Sequence, residues 1–143
     1  MTAPATTSHD ASCKQTVLLA DDESAITVLY EIFLSRMGYE VLVAHNGTEA
    51  ARIGSDLNQP IDVLVTDWRM PGLTGDVLAW QLMAGRPTLP VILMSGYDEG
   101  EDVAKTFDPS RVAFLRKPFS PALLDETIRN LLGLPLHPSR RVA

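Results

Sequence analysis

Five short apolar runs punctuate the chain, at residues 17–20, 41–44, 61–66, 91–94 and 112–115, and between them lie longer stretches patterned for helices. After the first run, Ile26, Leu29, Phe33 and Met37 recur at helical spacing until Gly38 stops the pattern. A second helix is predicted over about 48–57. A third starts near Gly75 with Val77, Leu78, Gln81 and Leu82 in step, and a weak acidic one covers about 99–106. The last has Ser120 as N-cap, Pro121 in its first position, Leu124, Ile128 and Leu131 as its buried stripe, and Gly133 as its stop. Runs that are apolar on both faces predict strands covered on both sides, hence a parallel sheet between helical layers. Five such units predict an α/β fold with a doubly wound five-stranded parallel sheet of order 2-1-3-4-5, whose ligands sit beyond the carboxyl ends of the strands.

Residues 1–15 and 133–143 read as tails, which leaves 16–132 as one domain. The chain has 143 residues, a hydrophobic fraction of 45% and a formal charge of −6, the ordinary balance of an acidic globular domain. No basic face for a nucleic-acid backbone is evident, so direct nucleic-acid binding is not expected. No apolar run reaches the roughly 20 residues of a membrane span, and the N-terminus has no secretory pattern. Lone Cys13 has no internal disulfide partner, and the expected setting is the cytoplasm. His9, His45 and His137 are scattered without metal-ligand spacing, and Trp68 and Trp80 read as packing residues.

The strand ends carry the chemistry. The first run leads into Asp21-Asp22-Glu23, the third into Asp67-Trp68-Arg69-Met70-Pro71, the fourth into Ser95-Gly96 and the fifth through Arg116 into Lys117-Pro118. In a parallel sheet these four places share one edge, so three carboxylates, a hydroxyl and an ammonium converge. Clustered carboxylates repel and raise one another's pKa, and a hard divalent cation such as Mg²⁺ (or Mn²⁺) relieves the repulsion. A carboxylate beside such an ion is a nucleophile toward phosphorus, and phosphoryl transfer asks mainly for positioning and charge neutralisation.

In the order and spacing of Asp21-Asp22, the block from Asp67 to Gly75, Ser95-Gly96 and Lys117-Pro118-Phe119, the chain resembles the receiver domain of two-component response regulators across residues 16–132. The resemblance implies the flavodoxin-like receiver fold, with Asp67 as phospho-acceptor and Asp22 as the main metal-binding carboxylate. It implies that Asp21 assists through a metal-bound water and that the backbone carbonyl of Arg69 completes the protein ligands. Ser95 and Lys117 would hold the phosphoryl oxygens, and the Lys117-Pro118 bond would be cis. Phe114 falls where the family places a switching aromatic that follows Ser95 and reshapes the helix predicted at 99–106, the fifth strand and the last helix. The side chains of Arg69 and Tyr97 would flank the phosphoryl group and set its lifetime. Implied partners are a histidine kinase or a histidine phosphotransfer protein, and a downstream protein target.

The chain departs from the common receiver pattern at Asp108-Pro-Ser-Arg111, where Gly-Ala is usual, and in the acidic stretch 98–102 with Gly100. Met1 and the tails read as those of a stand-alone protein; the alternatives are a receiver module of a hybrid histidine kinase or a phosphorelay intermediate. An aspartate-nucleophile phosphatase would need a second Asp two residues after the nucleophile, where Arg69 stands. A flavin or nucleotide binder would need a phosphate-cradling loop where three acids follow the first strand.

Overall fold

The computed structural model describes residues 14–96 and 107–135. The strands are β1 (Thr16–Ala20), β2 (Glu40–Ala44), β3 (Val63–Asp67), β4 (Val91–Ser95) and β5 (Val112–Arg116). The helices are α1 (Ser24–Arg36), α2 (Gly47–Ser55), α3 (Gly75–Gly85) and α4 (Pro121–Leu132). Every pairing is parallel, in the order β2-β1-β3-β4-β5, as the alternation of runs and helices predicts. The third strand starts two residues later than its apolar run and extends to include Asp67. Cys13, His9, His137, Tyr97 and the helix predicted at 99–106 lie outside the described residues. Among the described residues no helix is long and apolar enough to cross a membrane.

The period-2 alternation of the strands divides the core into two layers. Leu18, Leu64, Val91 and Leu93 face α2 and α3 and pack with Ala50, Leu78 and Leu82. Val17, Leu19, Val63, Val65, Ile92 and Met94 face the other way, onto Tyr30, Leu34, Leu124 and Ile128. The inner strands β1, β3 and β4 are buried throughout, whereas edge strand β2 is half-buried.

Two helices turn differently from the expectation. In α1 the buried residues are Thr27, Tyr30 and Leu34; Ile26, Phe33 and Met37 flank that stripe, and Leu29 faces outward at 52% exposure. The reason lies in the sequence: between Ala25 and Leu34 only Thr27 and Glu31 are polar, so periodicity marks no single face. Thr27 tolerates burial because its hydroxyl donates to the Ser24 carbonyl at 2.9 Å. In α3, Leu78, Ala79 and Leu82 are buried, while Val77 and Gln81 are exposed. The last helix matches its predicted ends. Ser120 Oγ accepts from the Leu123 amide at 3.1 Å, Pro121 opens α4, and Gly133 closes it at φ 70°. Its stripe holds Leu124 and Ile128, with Leu131 half-buried and Asp125 fully buried.

Candidate functional site

Parallel pairing brings the strand ends to one edge, and register decides which of them touch. Ala20 pairs with Thr66, so one step further Asp21 and Asp67 stand side by side. Backbone bonds carry the alignment past the strands: the Asp21 amide donates to the Ala44 carbonyl (3.2 Å), Trp68 to Met94 (2.8 Å) and Lys117 to Ser95 (2.7 Å). The Lys117-Pro118 peptide bond is cis.

Asp67 is held from behind. Its carbonyl accepts from the Thr66 hydroxyl at 3.0 Å. Gly75 at the start of α3 abuts the same carbonyl, and a Cβ there would lie 2.3 Å from the oxygen. The Gly75 amide also donates to the Trp68 carbonyl at 2.8 Å. Sequence patterning marks Gly75 as a helix start; the close approach that requires glycine comes only from the tertiary fold.

The carboxylates of Asp21, Asp22 and Asp67 each offer an oxygen within 4.8 Å of the others. Asp21 is wholly buried, Asp67 is 8% exposed and Asp22 lies at the open rim. Lys117 reaches in from the β5 end, its Nζ 3.2 Å from Asp67 Oδ1 and 3.4 Å from Asp21 Oδ2. Asp21 Oδ1 accepts from the Glu23 amide at 2.9 Å.

Burial pushes the Asp21 carboxyl up, against the opposing pull of the Glu23 amide and Lys117. Asp67 is raised first by burial and then by the Asp21 charge, which Lys117 only partly offsets. Burial alone would depress the Lys117 ammonium; the charges and hydrogen bonds of Asp21 and Asp67 outweigh it and raise the pKa. Two desolvated acids beside one lysine form a hollow short of positive charge. Its donors are all oxygen, the set that suits a hard divalent cation such as Mg²⁺ or Mn²⁺.

Of the remaining expected residues, Ser95, Arg69 and Phe114 are among the described ones. Ser95 ends β4, is 7% exposed, and its carbonyl receives the Lys117 amide. Arg69 is exposed and, with Asp22, Met70, Pro71 and Thr74, lines a shallow depression of about 280 Å³. Phe114 is half-buried between Trp68 (centroids 6.4 Å apart) and Phe107 (6.5 Å). Phe107 and the supporting Thr66 are the neighbours that sequence patterning does not single out, since neither belongs to a strand-end motif. Trp68 packs against the core as expected, whereas Trp80 is 51% exposed and stacks on Phe107.

The chain matches the family model of the response regulator receiver domain over residues 17–129. It is 34% identical over 123 residues to the sensor kinase CckA of Brucella abortus, an alignment that covers 86% of this chain and 13% of that protein. It is 32% identical over 120 residues to the chemotaxis protein CheY1 of Helicobacter pylori, covering 82% of this chain and 96% of that one. The chain thus spans a small part of some curated relatives, about half of others such as PhoP of Bacillus subtilis (48%), and nearly all of CheY1. Among solved structures, a receiver domain protein from Clostridium thermocellum aligns with a TM-score of 0.75 at 32% identity, over 83% of this chain and 94% of that one. The receiver domain of the hybrid histidine kinase CckA aligns with a TM-score of 0.69 at 33% identity, over 82% and 98%.

Proposed function

The chain belongs to the response regulator receiver family, and from that premise we propose that Asp67 accepts a phosphoryl group from the phosphohistidine of a histidine kinase or histidine phosphotransfer protein. The observation that carries this reading is Asp67 itself: a nearly buried carboxylate, 3.2 Å from the Lys117 ammonium and grouped with two further carboxylates at the sheet's carboxyl edge.

A carboxylate oxygen of Asp67 attacks phosphorus, the phosphorus–nitrogen bond breaks, and the imidazole leaves with the electron pair of that bond. Asp22, Asp67 and the Arg69 backbone carbonyl would hold Mg²⁺ (or Mn²⁺), with Asp21 acting through a water, and such an ion would supply charge neutralisation for the phosphoryl oxygens. Lys117 supplies the other positive charge. Its hold on Asp67 is exchanged for one on the incoming phosphoryl oxygen, so its ion pair with Asp21 keeps it in place through the step. Asp67 reacts as the anion, and a carbonyl fixed by Thr66 and Gly75 aims it.

The phosphoryl group adds roughly −1.5 to −2 charges and new acceptor oxygens beside Ser95. The Ser95 hydroxyl donates to them, and the space it vacates admits Phe114, a shift between two packings that alters affinity for a downstream protein target. Arg69 and Tyr97, two residues beyond Asp67 and Ser95, govern access of the hydrolytic water and hence the lifetime of the acyl phosphate. The activity is that of a signalling module in the cytoplasm, acting on its own aspartate and not on a turned-over substrate. Arg69 has no transferable proton at neutral pH, which disfavours the phosphatase alternative.

Incubation with acetyl phosphate and Mg²⁺, followed by mass spectrometry, tests the proposal. One phosphoryl group is expected on the peptide containing Asp67, and none in Asp67→Asn. A folded protein left unmodified by both acetyl phosphate and a phosphorylated kinase would refute it.

A further inference from the structure

Four aromatic rings lie in an unbroken series from the acceptor to the outer face of α3. Trp68 directly follows Asp67, and its ring is 6.4 Å from Phe114 at 41°. Phe114 is 6.5 Å from Phe107 at 55°, and Phe107 stacks on Trp80 at 4.8 Å and 27°. All three separations lie in the range at which aromatic pairs attract, roughly 4.5–7 Å. Phe107 is 6% exposed and belongs to the core, whereas Trp80 is 51% exposed with Val77 nearby on the same helix at 39%. The series also closes on itself. Trp80 is carried by α3, and α3 begins at Gly75, which is bonded to the Trp68 carbonyl and pressed against that of Asp67.

We propose that this aromatic circuit carries the phosphorylation state of Asp67 to Trp80, so that the outer face of α3 around Val77 and Trp80 changes shape with the acceptor. The inference rests on the proposed function above, which supplies the ligand at Asp67 and the movement of Phe114. Phe114 cannot leave its place between Trp68 and Phe107 without breaking both contacts. Phe107, buried in the core, must follow to fill the space, because interiors tolerate few voids, and the ring stacked on it moves in turn. The anchored start of α3 fixes one end of the helix that bears Trp80, so the displacement is taken up as a tilt or a ring rotation at the exposed end.

Trp68→Phe leaves Trp80 as the single tryptophan, and Mg²⁺ with beryllofluoride serves as the probe, its binding followed independently by fluorine NMR. The expected result is a saturable change in Trp80 emission with the same midpoint as the bound fluorine resonance. Adding Phe107→Leu lowers that amplitude by about twofold or more, within the range of coupling seen for intermediary residues, while the bound resonance persists; Phe107→Tyr retains the amplitude. A bound resonance with silent Trp80 emission overturns the circuit and leaves the phospho-acceptor reading standing, as does undiminished amplitude in Phe107→Leu. Absence of any bound resonance in the wild type overturns both. Should Phe107→Leu fail to fold, Phe114→Leu is held to the same criterion.

Discussion

Gly75→Ala and Gly85→Ala are the same chemical change at the two ends of one helix, and the structure assigns them opposite signs. A Cβ at Gly75 would stand 2.3 Å from the Asp67 carbonyl oxygen and 3.1 Å from both the Asp67 carbonyl carbon and the Trp68 α-carbon. All three are backbone atoms and cannot rotate away, so the helix start and the strand end must part by about 0.7 Å to reach even a 3.0 Å contact. Overpacking of this kind costs about 1–3 kcal/mol. Weakening the 2.8 Å bond from the Gly75 amide to the Trp68 carbonyl adds about 1 kcal/mol. Alanine's better helix propensity returns at most about 1 kcal/mol, which leaves a net loss of about 1–3 kcal/mol. For a domain of this size that lowers Tm by roughly 4–15 °C. At Gly85 the nearest atom to an added Cβ is the Leu57 Cδ2 at 3.7 Å, an ordinary contact, and the φ is not positive. There the propensity gain of about 0.5–1 kcal/mol stands unopposed, and Tm rises by a few degrees. Scanning calorimetry of the two variants measures both shifts. Labelling by acetyl phosphate should slow by about tenfold or more in Gly75→Ala, because the acceptor's backbone has moved, and be unaltered in Gly85→Ala. A Gly75→Ala protein that melts with the wild type, or shifts the same way as Gly85→Ala, would show that the close approach does not constrain Asp67.

Three further outcomes follow from the site's charges and the far end of the sheet. The Asp67 pKa is raised above its ordinary 3.8, so its protonation favours the folded state; that contribution is complete below pH 3.8 and is lost as pH rises through the folded pKa. Without metal, the urea-midpoint difference between wild type and Asp67→Asn should therefore shift against the wild type from about pH 4 to pH 7, and excess Mg²⁺ should oppose the shift; a pH-independent difference contradicts it. Replacing Lys117 by Gln removes a cation 3.2 Å and 3.4 Å from two of the three carboxylates. Calorimetry should find Mg²⁺ binding tightened severalfold, as removal of one like charge worth about 1 kcal/mol in a water-like dielectric of about 80 implies, with labelling of Asp67 abolished; unchanged or weaker Mg²⁺ binding would count against the assignment. Tyr39→Phe deletes the 2.7 Å bond its hydroxyl donates to the fully buried Asp125, while the 3.1 Å bond from Arg129 Nε to the same carboxylate stays in place. A loss of about 1–3 kcal/mol in chemical denaturation is expected, with labelling of Asp67 undisturbed, and a wild-type midpoint would argue against the bond's contribution.

The apolar runs reveal the sheet because β1, β3 and β4 are buried on both faces, and a short continuous apolar stretch bounded by polar turns suits a covered strand. The consequence for Asp21, Asp67, Ser95 and Lys117 is equally legible, since parallel strands place all their carboxyl ends together. Helix faces are harder. In α1 an almost unbroken apolar surface hides the buried stripe, and its most buried residues include Thr27, which a hydropathy pattern treats as outward. Asp125 is hidden for a related reason: a carboxylate reads as a surface residue until Tyr39 and Arg129 are brought beside it to satisfy its charge. The contacts of Gly75 with Asp67, and of Phe107 with Phe114 and Trp80, depend on packing between elements that no local pattern encodes.

Lys117 has a further meaning for how such a molecule would meet a divalent ion. With an internal cation already between Asp21 and Asp67, the proposed reading implies that the polypeptide would reach its native shape in a magnesium-poor medium, the ion joining afterwards as a reversible visitor. Starvation for the metal would then silence the molecule without unfolding it, and resupply would restore responsiveness at the pace of ion diffusion, with no need for new synthesis.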